Sequence, residues 1–212
     1  MLRFMTLLTA LTVSAGGWAV VTVEEVPDQV IVGRPVTFDF SVRQHGRTLL
    51  DGLRPTVVAE AGGRAVTAAG SPTGTGHYRA TLTLPNPGQW TVTINSGFGN
   101  SKVTLLPVPA VNDGRPALTL TDAERGRRLF VAKGCLTCHV LGGIPGSGVV
   151  SVGPELTGKQ FPAEFLTRFL ADPAIAAPAG SRTIQMPNLE LKPPEIAALV
   201  AFINGSSTAR TE

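Results

Sequence analysis

The only two cysteines of the chain, Cys135 and Cys138, stand in "VAKGCLTCHVLGG", with His139 directly behind the second. Three chemistries use thiols at this spacing. A redox dithiol would sit at the start of a helix after a strand, and no strand pattern precedes this site. A zinc site would need more ligands, but no second cysteine pair exists and the other two histidines, His45 and His77, lie far upstream. The third chemistry is covalent attachment of a c-type haem. Two thioether bonds then tether the ring edge, and the adjacent imidazole is turned onto the iron. A disulfide between Cys135 and Cys138 would leave His139 without a role. The expectation is one covalently attached haem c, with His139 as an iron ligand.

Iron held by one histidine either takes a sixth ligand or keeps an open site. The choice separates electron transfer from ligand binding or catalysis. After His139 the chain has no further histidine and a single methionine, Met186, in "TIQMPNLELKPPEIAALVAFI". Lys159 and Lys192 would normally be charged and solvated. Met186 could fill a core gap, but a methionine followed by proline in an extended stretch fits the sixth-ligand role better. His/Met ligation implies a raised reduction potential and an electron-transfer protein, not an enzyme. The alternative is a haem-based gas sensor or peroxidase-like enzyme with an open sixth site.

These residues need helices to hold them. "TLTDAERGRRLFVAKG" opens with Thr121 and Glu124 in capping-box spacing. It ends at Gly134, where a left-handed residue is wanted, so a helix is expected over 122–133. "FPAEFLTRFLADP" reads as a middle helix with Phe165, Leu166, Phe169 and Leu170 on its buried face. The last helix has Pro193 in its first turn, Glu195 near its positive end, and Ile196, Leu199, Val200 and Ile203 at helical spacing. Lys192 is a poor N-cap for it. Asn204-Gly205 closes it.

The preceding half has a period of two. Val36, Phe38, Phe40 and Val42, then Tyr78, Ala80, Leu82 and Leu84, then Trp90, Val92 and Ile94, alternate with polar residues. His45-Gly46, Asp51-Gly52, Gly62-Gly63, Ser71-Pro72 and Asn86-Pro87-Gly88 punctuate the runs. An all-β antiparallel sandwich of immunoglobulin type is expected, with Tyr78 placed for a tyrosine corner. The segment is similar to small extracytoplasmic bacterial domains called YtkA-like. His45 and His77 lack the Met and Cys companions of a copper carrier, so they read as surface or turn residues and the domain as a scaffold or docking module. Copper delivery would require both. A proline-studded connector, "LLPVPAVNDGRPALTL", is expected to act as a semi-rigid spacer.

From about residue 118 to 206 the chain resembles class I monohaem cytochromes c. The resemblance rests on Gly126 and Phe130 in the first helix, "CLTCH", "VGPELTGK" and "MPNLELKPPEIAALVAFI". It implies an all-α cytochrome c fold and a hydrogen bond from the proximal histidine to the carbonyl of Pro154. It also implies a close crossing of the first and last helices, with Gly126 facing Leu199 and Phe202.

The implied organisation is a signal peptide or N-terminal anchor (1–19), a sandwich (20–108), a linker (109–117), a cytochrome domain (118–206) and a tail (207–212). Met1-Leu2-Arg3 followed by uncharged residues to Val23, with small residues at Ser14-Ala15-Gly16-Gly17 and at Ala19, has the layout of a secretory signal. An uncleaved anchor associated with the membrane is the rival. Either way the protein is expected in the periplasm or on the outer face of the cytoplasmic membrane. Redox protein partners, such as a respiratory complex or oxidase, are expected. A net charge of +3 with no basic run argues against nucleic acid. Arg125, Arg127 and Arg128 read as a solvated helix face, or as a patch steering an acidic partner.

Overall fold

The computed structural model describes residues 17–144, 150, 152–176 and 185–206. Most of the proposed export segment, the tail and part of the loop after Gly143 lie outside the described residues. Among the described residues no helix is long and apolar enough to cross a membrane.

Two sheets form the first half. One carries β1 (Ala19–Val23), β3 (Pro35–Gln44), β8 (His77–Thr83) and β7 (Ser71–Gly74) in that order, with β4 (Thr48–Leu49) also on β3. The other carries β2 (Val30–Ile31), β11 (Val108–Val111), β9 (Gly88–Asn95), β5 (Thr56–Ala61) and β6 (Arg64–Ala69), with β10 (Lys102–Thr104) on β9. The alternation fixes which side of each strand meets the other sheet. Phe38, Phe40, Val42, Tyr78, Ala80, Leu82, Trp90, Val92 and Ile94 are all buried in one shared core, as period-two patterning requires.

Four details differ from the sequence reading. The pairing is not wholly antiparallel, since β11 runs parallel to β2 through Ala110 opposite Val30. The connector begins later than expected, because Val108 and Ala110 pair with Trp90 and Gly88 of β9. Ser71-Pro72 is not a turn but the start of the exposed strand β7, where a proline need not donate to a ladder. Tyr78 Oη donates to Leu50 O at 2.6 Å and accepts from Leu53 N–H at 3.2 Å. It therefore pins a distant loop and does not form the local corner expected of it.

The second half holds α1 (Asp122–Ala132), a 3₁₀ turn (Cys135–Thr137), α2 (Ala163–Ala171), a 3₁₀ turn (Pro173–Ala176) and α3 (Pro193–Gly205). Thr121 caps α1 with its hydroxyl on Glu124 N–H, while the Glu124 carboxylate accepts Thr121 N–H at 2.9 Å. Lys192 gives α3 no side-chain cap. Glu195 compensates by accepting Lys192 N–H at 2.8 Å. The α1–α3 crossing depends on Gly126, where a Cβ would lie 2.0 Å from Ala198 O and 2.6 Å from Phe202 Cβ. Only glycine admits backbones this close, and Ala198 rather than Leu199 is what it meets. Phe130 and Phe202 pack edge to face one turn along, with centroids 5.8 Å apart.

The halves are fastened together by a buried cation. Lys133, 4% exposed, donates to Glu24 O at 2.7 Å and pairs with Glu195 at 2.8 Å. One ammonium thus ties the end of α1, the start of α3 and the chain after β1. Arg125 pairs with Asp28 at 3.1 Å and Arg128 donates to Asp28 O at 3.2 Å. These two arginines bind the sheet domain and are neither a free solvated face nor a free steering patch. Lys133→Ala is expected to cost about 3–5 kcal/mol, since it strands Glu195 with little solvent. The urea midpoint of the whole chain measures it.

Candidate functional site: the Cys135–His139 loop and its cavity

Gly134, with φ +76°, ends α1 and turns the chain into the 3₁₀ turn that carries Cys135. No side chain fits there, because a Cβ would lie 2.6 Å from Val20 Cγ1 and 2.7 Å from Val21 O. Cys138 N–H and His139 N–H both bond to Cys135 O, at 3.2 and 2.9 Å. That tight turn sets the two sulfurs and the imidazole side by side.

Burial pushes the Cys135 thiol up to about 12, with the neighbouring Cys138 adding to the shift, and burial raises Cys138 as well. Thiols shifted this way, on half-buried residues, stay protonated, unlike the thiolates that redox dithiols and zinc sites use. Among the described residues no group of three His, Cys, Asp or Glu side chains could hold a metal ion. His139 is held below the usual imidazole value by burial, against the opposing pull of Pro154. Its Nδ1 lies 2.9 Å from Pro154 O. Donation there leaves Nε2 with the lone pair, which is the ligand form.

Gly153 is a site residue that the sequence reading missed. A Cβ on it would fall 2.5 Å from His139 Cε1 and 2.7 Å from Nδ1. Its only sequence trace is its place beside Pro154. Gly153→Ala is expected to displace the ring. Losing a ligand's outer support typically costs about 10- to 100-fold in metal affinity or activity. The high-spin fraction in the oxidised absorption spectrum of the loaded protein measures the effect.

Cys135, Cys138, His139, Pro154 and Met186 all line one cavity of about 360 Å³. Phe130, Phe161, Phe165, Leu166, Leu170 and Leu199 supply much of the remaining apolar wall. Phe165 is not fully buried as expected, being 38% exposed, and it stacks on Phe169 at 5.8 Å. Asn204 fixes Phe161 through two bonds of 3.0 Å to its backbone. The volume lies in the range of cofactor pockets. Two neutral thiols at one side, a directed imidazole nitrogen, a thioether and aromatic walls fit a flat apolar macrocycle carrying iron. Trp18, Val20 and His45 of the sheet domain border the same cavity, whereas His77 pairs with Glu24 at 3.1 Å.

Solved structures that the chain resembles include domains 5–6 of the S-layer protein SbsC, at 24% identity and TM-score 0.34, covering 46% of this chain and 45% of that one. A longer SbsC structure matches at 22% identity and TM-score 0.34, with 46% of this chain and 13% of that one covered. A CARDB domain from Pyrococcus furiosus matches at 15% identity and TM-score 0.27, covering 49% and 100%. Such scores do not define a common fold. No curated protein matches the chain. Residues 123–207 match the family model for cytochrome c. That span holds the paired cysteines, the directed histidine and most of the cavity they face, so the C-terminal part of this chain is a cytochrome c domain with a covalently bound haem c.

Proposed function

We propose that the protein is an extracytoplasmic one-electron carrier whose haem iron is held between His139 and Met186. It works as a shuttle or as the haem subunit of a respiratory complex, beside a redox protein partner. The observation that carries this reading is that Met186 and His139 border one apolar cavity together with both cysteines. When bound, the haem supplies a centre that gains and loses one electron.

The chain's own residues supply the rest. Cys135 and Cys138 fix the ring edge. Pro154 holds the imidazole tautomer, and Met186 offers a soft, neutral thioether that favours the reduced state. The aromatic walls keep water from the iron, which limits reorganisation on oxidation. The export signal lies within residues 1–19, cleaved at the small residues ahead of Trp18 or retained as an anchor. Cleavage after Ala19 would cut into β1, whose Ala19 pairs with Gln44. The two-sheet domain is read as an immunoglobulin-like sandwich, on its two-sheet core and the buried Trp90.

A redox titration of the exported protein tests the proposal. One reversible electron per chain, a methionine-to-iron charge-transfer band when oxidised, and slow carbon monoxide binding when reduced are expected. A high-spin iron that takes up carbon monoxide at once would instead assign a sensor or peroxidase-like role.

A further inference from the structure

The sheet domain reaches the ligand side of the haem cavity. Trp18 precedes β1, and His45 and Gly46 form the turn between β3 and β4; Trp18 and His45 both face the cavity. They brace one another, with His45 N–H donating to Trp18 O at 3.0 Å and the rings 5.3 Å apart. His45 holds a left-handed φ of +52°, which costs a non-glycine residue on the order of 1 kcal/mol. The strain is offset only if the turn is held by what it packs on.

That neighbour is the segment following Met186. A Cβ on Gly46 would lie 3.1 Å from Pro187 Cγ. Glu190, three residues beyond Pro187, sits 3.5 Å from Arg43, which is itself buried. Lys192 pairs with Glu25 at 2.7 Å. A second cavity of about 300 Å³ has Arg43, Gly46 and Arg47 on one side and Gln185, Met186 and Pro187 on the other. The turn therefore flanks the Met186 segment twice. Glu190, Glu25 and Lys192 are all well exposed, so their ion pairs contribute little. Packing of Gly46 on Pro187 and of the Trp18–His45 pair on the cavity is the larger effect.

We propose that Trp18, His45 and Gly46 are positioning residues through which the sheet domain sets the place of Met186 and shuts the iron's sixth site away from solvent. This rests on Met186 being the sixth ligand. The sheet domain is then part of the redox centre and not a passive appendage.

The test uses the exported, haem-loaded full chain carrying Trp18→Ala, His45→Gly, Gly46→Ala, Pro187→Ala, or the last two together. Readouts are the methionine-to-iron band, the midpoint potential and the association rate of imidazole with oxidised haem. Trp18→Ala and His45→Gly are expected to keep the band yet speed imidazole binding several-fold. His45→Gly removes the ring while relieving the backbone, so a folding loss cannot mimic that result. Gly46→Ala is expected to weaken the band and lower the potential, and Pro187→Ala to restore both. Without Cγ, the nearest neighbours of the new methyl would be Val20 Cγ2 at 3.6 Å and Pro187 Cβ at 3.7 Å. Backbone strain at position 46 is common to the single and double variants, so their difference reports the contact alone. Imidazole rates and potentials equal to those of the parent protein would overturn the brace and leave Met186 as ligand. A parent protein without the methionine band would overturn both.

Discussion

Cys135→Ala combined with Cys138→Ala is expected to abolish covalent haem completely, and the denatured chain then shows no porphyrin mass. The effect reaches further than the loss of two bonds. The cavity of about 360 Å³ is lined by phenylalanine and leucine side chains. Leaving it unfilled gives up the burial of that apolar lining, worth on the order of several kcal/mol. A whole domain is worth only about 5–15 kcal/mol. The helices should therefore melt while the sheets, whose core is built from a different set of residues, persist. Circular dichroism of the haem-free variant would show strand signal without native helix content. Full helicity in that variant would mean that the helices stand without the macrocycle.

Met186→Ala is expected to leave haem attachment intact, because neither thioether nor His139 is touched. The midpoint potential should fall by on the order of 0.1 V, within the roughly 0.8 V that axial ligands span. The methionine band should vanish, and carbon monoxide should bind the reduced iron rapidly. Leu189 and Leu199 also line the cavity, so the variant retains an apolar wall around an accessible metal. An unchanged spectrum would place the sixth ligand elsewhere.

The elements that hold the haem were legible because each has a local cause. Thr121 and Glu124 announce the start of α1 through their own hydrogen bonds, and Gly134 ends it with a positive φ. The alternation around Phe40 and Val92 needs only the pleat of a strand to become a buried face. What stayed hidden depends on contacts between distant segments. His45 is an isolated histidine in its own surroundings, and only the meeting of the two halves brings it to the cavity of Met186. Lys133 reads as an ordinary helix-end cation until Glu24 and Glu195 are folded around it. Gly153 matters through the imidazole lying over it, a contact made across a loop. Arg125 and Arg128 likewise looked solvated, because Asp28 is nearly a hundred residues away in sequence, whereas Arg127 is exposed as expected.

The Lys133 fastening has a consequence for how the two halves respond to ionic strength. The Lys192–Glu25 pair faces water and the Arg125–Asp28 pair is partly exposed, and charges in water are screened beyond about 8 Å in physiological electrolyte. The Lys133 side chain is 5% exposed and donates across to Glu24 O of the sheet half at 2.7 Å, where mobile counter-ions hardly reach. Concentrated electrolyte should thus weaken the exposed pairs while the sheets and the cytochrome domain continue to tumble as one particle.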